Sequence, residues 1–193
     1  MLYCGLRRGE VLALEWKDID YDKKVVMVRK AVTLRNGRPY LKGPKSEAGI
    51  RDVPVPDFLL DIFKSAPKPF SLFCPSVSGE LMTDVAYSRA WDSYEHFLNL
   101  KAGGRDASRS HPKVVKIDHI TAHMLRHTYA SLLYEAGVDV KSAQRFLGHS
   151  DIETTLEIYT HLTKQKEEEA VKNLNEHFGT RVYNKLREQD RER

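Results

Sequence analysis

Cysteine is nearly absent from this chain. Cys4 and Cys74 are the only two among 193 residues, and they stand in no repeated or metal-like spacing. That argues against a disulfide framework and for reduced thiols in a cytoplasmic setting. Long hydrophobic runs are lacking too. The longest are a few residues, too short for a membrane-spanning helix, and no secretory signal segment is visible. Neither an internal repeat nor a low-complexity tract is present. Negative charge is in slight deficit, with 27 Asp and Glu against 31 Lys and Arg, giving a formal net charge of +4 and a pI near 9.0. This balance favours a polyanionic partner without identifying one. What is present is 41% hydrophobic residues over a length that suits one domain with a real core.

Periodicity divides the chain into a short mixed region and a long helical one. Leu2, Leu6, Val11, Leu12 and Leu14 read as an opening helix. From Asp18 to Pro56 the pattern becomes strand-like. Val25-Val26-Met27-Val28 is apolar and β-branched, Asn36-Gly37 is a hairpin turn, and Tyr40-Leu41 and Arg51-Asp52-Val53-Pro54-Val55 read as short partners. The expected product is a small three-stranded antiparallel sheet, with Pro54 and Pro56 limiting its last strand. Helices follow over Phe58–Phe63, from Thr83 or Asp84 to Leu98, from about Thr121 to Gly137, over Val140–Leu147, over Thr154–Leu162 and over Lys164–Phe178. Between Lys101 and Lys116, Gly103-Gly104, four basic residues and Pro112 predict an exposed loop. The fold class expected is α+β, mainly helical, with a domain over residues 1–178 and a charged tail over 179–193.

Four segments carry chemistry-bearing residues. They are Gly5-Leu6-Arg7-Arg8-Gly9-Glu10; Gly43-Pro44-Lys45-Ser46 on a hairpin; His123-Met124-Leu125-Arg126; and Leu147-Gly148-His149, followed ten positions later by Tyr159. In this order and spacing they resemble the catalytic domain of the tyrosine recombinase or phage integrase family, particularly integrases of phages and integrative elements. The resemblance covers nearly the whole chain. It implies a DNA breaking-and-rejoining fold and site-specific recombination through a covalent 3′-phosphotyrosyl intermediate.

Elementary chemistry fits those roles. A phosphodiester repels nucleophiles and gathers charge in the transition state, so its cleavage depends on positioning and charge stabilisation. Guanidinium is planar, permanently charged and able to bond phosphate bidentately, which makes Arg7 and Arg126 a clamp. The resemblance selects Arg7 over Arg8, because the family's arginine directly follows the Gly-Leu pair. Tyr159 as nucleophile needs a proton acceptor, since a free phenol is only about 0.1% ionised at neutral pH, a gap of roughly 4 kcal/mol. His123, three residues before Arg126 on one helix face, is the general base. His149 donates to a phosphate oxygen. The departing 5′ oxygen needs an acid, and Lys45 matches the family's hairpin lysine; Lys42 is the competing choice, and alternation lets at most one of them reach the phosphate. By resemblance, Glu10 supports Arg7.

The scheme calls for no metal and no nucleotide cofactor, because the phosphotyrosyl bond conserves the energy of the broken strand. His123 and His127 share the i, i+4 spacing of a zinc helix, but Met124 stands where the hydrolase motif has glutamate. Arg105, Arg109, Lys113 and Lys116 are candidate contacts to DNA phosphates. The expected partners are double-stranded DNA at attachment-type sites, a homotetramer joined through the C-terminal helix around Val171, Leu174 and Phe178, and an accessory DNA-bending protein. The expected location is a bacterial or phage-infected cytoplasm, with the protein at the nucleoid. Family members normally carry a core-binding domain before the catalytic one, and often a smaller arm-binding domain before that. Only six residues precede Arg7, so the chain is expected to be truncated at its N-terminus and weak in recombination alone. Two other readings stand beside recombination: a type IB-like topoisomerase or resolvase, and a non-catalytic DNA-binding remnant.

Overall fold

In the computed structural model, the described residues are 1–44 and 46–191 for the backbone and 1–44 and 46–179 for side chains. Helix α1 (Arg8–Ala13) is shorter than the apolar spacing predicts. Leu2 and Leu6 lie before it, because Gly5 adopts φ +57° and turns the chain ahead of the helix. A Cβ at Gly5 would stand 2.3 Å from the Tyr129 ring, so glycine is required there on two counts.

Strands β1 (Ile19–Asp20), β2 (Val25–Val28) and β5 (Arg51–Pro54) form an antiparallel sheet in the order β1-β2-β5. Strands β3 (Ala31–Arg35) and β4 (Arg38–Lys42) form a separate two-stranded ribbon around Asn36-Gly37, both with positive φ. The sheet therefore has the expected number of strands but a different membership. Tyr40 and Leu41 belong to the ribbon, and Ile19–Asp20 takes the third place. A strand has two edges, and those of β2 are filled by β5, with Val26 opposite Val53, and by β1, with Ile19 opposite Val26.

Helices α2 (Asp57–Ser65), α3 (Asp84–Lys101), α4 (Ala122–Glu135), α5 (Val140–Leu147) and α6 (Glu153–Arg191) complete the fold. Their starts follow side-chain capping. Thr83, Thr121 and Asp139 accept the backbone N–H of Ala86, Met124 and Ser142 at 3.2, 3.1 and 3.0 Å. Gly148 ends α5 in the left-handed conformation, φ +66°. The two helices expected over Thr154–Leu162 and Lys164–Phe178 are one, since no glycine or proline interrupts residues 153–178. The tail over 179–193 continues this helix to Arg191 along the backbone; its side chains beyond Gly179 lie outside the described residues. Among the described residues, no helix is long and apolar enough to cross a membrane.

Two apolar clusters form among the described residues. Leu6, Val11, Leu14, Val26, Val53 and Leu60 pack around the sheet. Tyr129, Ala130, Leu133, Ala143, Leu147 and Tyr159 pack where α4, α5 and α6 meet. Polar bonds tie the two clusters together, from Gly5 and Arg7 just before α1 and from Arg51 in β5 to α4 and the end of α5.

Candidate active site

Two of the arginines that make those bonds, Arg7 and Arg51, meet at Glu10, which is buried in α1. Its Oε1 accepts from Arg7 Nη1 at 3.0 Å and from Arg51 Nη1 at 2.9 Å. Its Oε2 accepts from the Arg7 backbone N–H and from Arg51 Nη2, both at 2.8 Å. Burial alone would raise the Glu10 pKa; the bonds and charge of Arg51, then those of Arg7, hold it below the ordinary glutamate value.

Arg7 and Arg126 are braced against consecutive carbonyls at the end of α5. Arg7 Nη2 donates to Gly148 O at 3.0 Å, and Arg126 Nη2 donates to Leu147 O at 2.5 Å. The second nitrogen of Arg126, Nη1, donates to Gly5 O at 2.5 Å. Gly5 and Gly148 thus each present a carbonyl to the arginine pair. Arg126 is only 5% exposed, and burial first, then the Arg7 charge, pulls its pKa down. A cation held at such cost is stabilised by an arriving anion. The Arg7 side chain is 45% exposed and open to a substrate.

His149 follows this pair of carbonyls. Its Nδ1 lies 2.9 Å from Oγ1 of fully buried Thr155. With Nδ1 accepting the threonine proton, Nε2 carries the ring N–H. Burial and the Arg126, Arg7 and Arg51 cations push its pKa down to about 4, so the ring is neutral at pH 7. A pH effect follows. The unfolded chain protonates His149 near pH 6.5, whereas the folded chain does so only near 4. Its contribution to stability is therefore complete above about pH 6.5 and is lost as pH falls toward 4. In urea titrations, His149→Gln is expected to flatten that decline; an unchanged slope would contradict the assignment.

His123 and Arg126 share α4, and Arg7, His123 and Arg126 line one cleft of about 460 Å³. His123 is exposed, with its Nε2 3.0 Å from Nε2 of His127. Burial, then His123 and Arg126, lowers the pKa of His127. The i, i+4 histidine pair therefore meets ring to ring, and no cluster of three or more metal-ligating side chains forms among the described residues.

Lys45 lies outside the described residues. Its neighbours Pro44 and Ser46 line a second cleft of about 470 Å³ together with Arg7, Gly148 and Lys42. The end of β4 is thus beside the arginine pair, and Lys42, the competing choice, lines that cleft with Arg7.

Tyr159 is the exception to this convergence. It is 7% exposed within the second apolar cluster, its hydroxyl donates to Val138 O at 3.0 Å, and its ring meets Tyr134 edge to face at 5.2 Å. Burial, then the Asp139 charge, raises its pKa. In this conformation the phenol is held away from deprotonation.

Arg105, Arg109, Lys113 and Lys116 are exposed, as expected of the loop. That loop is more ordered than its composition predicts. Arg105 and Val114 form an antiparallel bridge, and buried Asn99 donates to Val114 O at 3.2 Å and accepts from the Lys116 N–H at 2.7 Å.

Arg51 and Thr155, which motif reading missed, bond to the candidate residues Glu10 and His149. Arg51 carried a legible signal, because it alternates with Val53 and Val55 on the core-facing side of a strand, where an arginine requires a carboxylate.

The model of the phage integrase family matches residues 1–166. A XerC-like tyrosine recombinase of Caldanaerobacter subterraneus subsp. tengcongensis is 33% identical, over 90% of this chain and 47% of its own length. The ICEBs1 integrase of Bacillus subtilis (strain 168) is 29% identical over 89% of this chain and 46% of its own length. This chain therefore spans about half the length of the curated relatives it matches. Among solved structures, the Tn1549 transposon integrase in complex with transposon right end DNA matches with a TM-score of 0.63 and 27% identity, covering 88% of this chain and 56% of that one.

Proposed function

The chain belongs to the phage integrase family, and from that premise we propose that it carries out site-specific recombination of double-stranded DNA at attachment-type sites. Tyr159 Oη attacks the scissile phosphorus, the bond to the 5′ oxygen breaks, and a 3′-phosphotyrosyl link forms. Arg7 and Arg126 hold the non-bridging oxygens, and His149 adds a neutral donor. His123 accepts the phenolic proton, and Lys45 supplies one to the departing 5′ oxygen. Attack by the 5′ hydroxyl of another strand then reseals DNA and frees the tyrosine. Charge neutralisation by two guanidinium groups replaces the work a metal would do, and the covalent link replaces a nucleotide cofactor.

One observation carries this reading: two arginines distant in sequence are braced on neighbouring carbonyls immediately before His149, and both line one cleft with His123. The resting position of Tyr159 adds a step. Its hydroxyl must leave Val138 O, so the first turns of α6 shift before attack. Val171, Leu174 and Phe178 are exposed along α6, and they support docking of this helix onto a neighbour in a tetramer on two duplexes. Exposed Arg105, Arg109, Lys113 and Lys116 add phosphate contacts that weaken with salt.

The test is covalent trapping on a nicked duplex whose short 5′ fragment diffuses away after cleavage. The wild-type chain is expected to become linked to DNA and to survive denaturing electrophoresis. Binding without linkage would reduce the chain to a DNA-binding module. Relaxation of supercoils without exchange between paired sites would make it topoisomerase-like.

A further inference from the structure

Arg51 is a buried cation that the cleavage scheme does not use. Its side chain is 2% exposed, so it is shielded from a bound phosphate. Its guanidinium spans three parts of the fold. Two nitrogens grip both oxygens of Glu10, Nε donates to Phe146 O at 2.8 Å, and Nη1 also reaches Gly49 O at 3.3 Å. Glu10 in turn holds the backbone and guanidinium of Arg7. Phe146 lies three residues before His149. Gly148 sits against Arg51 so closely that an added Cβ would stand 2.8 Å from its Nη1 and 2.9 Å from its Cδ.

We propose that Arg51 is a positioning residue for strand cleavage, acting on Arg7 through Glu10 and on His149 through the turn at Phe146–Gly148. The proposal rests on the recombinase reading. The chemistry requires arginine specifically. A carboxylate gripped at both oxygens by a planar fork has one orientation, and the third donor fixes that fork to α5. Lysine presents a single nitrogen on a flexible stem and cannot hold both Glu10 oxygens and the Phe146 carbonyl in that geometry. The Arg7 guanidinium would then swing, and displacement of a catalytic group by about 1 Å costs roughly 10²-fold in rate.

The experiment compares Arg51→Lys with the wild type in the 193-residue chain, at a temperature where their near-ultraviolet spectra coincide. Cleavage of the nicked duplex is expected to slow by about 10²-fold, with DNA affinity changed only a few-fold. In an Arg7→Ala background, the same substitution is expected to cost about threefold or less, because its main target is already gone. A purely structural role would give the same factor in both backgrounds and overturn the proposal, as would an Arg51→Lys chain that cleaves at the wild-type rate. A second readout needs no cleavage: the Arg7 guanidinium nitrogen signals in NMR, split while the group is held, are expected to merge by rotation in Arg51→Lys. Unchanged splitting overturns the proposal even if the wild type forms no DNA adduct, an outcome that would separately defeat the recombinase reading. Should Arg51→Lys fold poorly, Arg51→Gln, which leaves no unpaired cation in the core and keeps Glu10 on Arg7, is expected to merge the same signals; unchanged splitting there overturns the proposal as well.

Discussion

Tyr159→Phe is expected to eliminate covalent attachment to DNA while leaving the folded chain and its DNA affinity nearly intact. The substitution removes one oxygen, and that oxygen is the proposed nucleophile. A phenyl ring cannot form a phosphoester, so the loss is complete rather than partial. The structural cost is small by comparison. The ring keeps its edge-to-face contact with Tyr134 and its place in the second apolar cluster. What disappears is the hydrogen bond to Val138 O, worth about 1 kcal/mol. Electrophoresis of trapped complexes reads the first effect and the urea midpoint the second. Residual adduct in Tyr159→Phe would transfer the nucleophile's role elsewhere.

Glu10→Ala is expected to destabilise the fold by about 3–5 kcal/mol, the usual cost of leaving one partner of a buried ion pair alone. Arg7 and Arg51 share this carboxylate, and the hydrogen bonds of Arg126 go only to carbonyls among the described residues. Arg51 is the most exacting of the three, at 2% exposure with both terminal nitrogens on Glu10. Its removal from water is tolerable only while that carboxylate is there. Urea unfolding measures the loss as a lower midpoint at unchanged slope. Added sulfate is expected to restore part of it, because an anion between the arginines replaces the missing charge. A midpoint shift under about 1 kcal/mol would mean that the arginines do not depend on Glu10.

Much of the fold was legible because its elements are fixed locally. Thr83, Thr121 and Asp139 cap helices, Gly148 ends one, and Asn36-Gly37 turns a hairpin, each through bonds or dihedral angles set within a few residues. Strand partnership was less legible. Tyr40-Leu41 and Ile19-Asp20 are both short and suited to an edge, and only the register of β2 decides between them. The union of two expected C-terminal helices into α6 was hidden because Thr163 and Lys164 break no hydrogen bond, while the polar run after them blurs the apolar face.

The candidate site divides in the same way. Arg7, Glu10, Arg126 and His149 were legible as residue types in motif order, and the fold gathers them around residues 147–149. Arg51 left only its core-facing alternation with Val53 and Val55 as a signal; its partner lies forty-one positions away, so the pairing itself exists only once the chain has folded. The resting place of Tyr159 was also beyond sequence. A phenol is equally fit to be a nucleophile or a core residue, and in this conformation it is seated in the core.

The central claim is that Tyr159 becomes covalently joined to DNA, and peptide mapping of the trapped complex by mass spectrometry tests it most directly. After nuclease and protease digestion, the nucleotide mass is expected on the peptide containing Tyr159 and nowhere else. Nucleotide on any other residue, or a chain that binds the nicked duplex without acquiring any nucleotide mass, would contradict it.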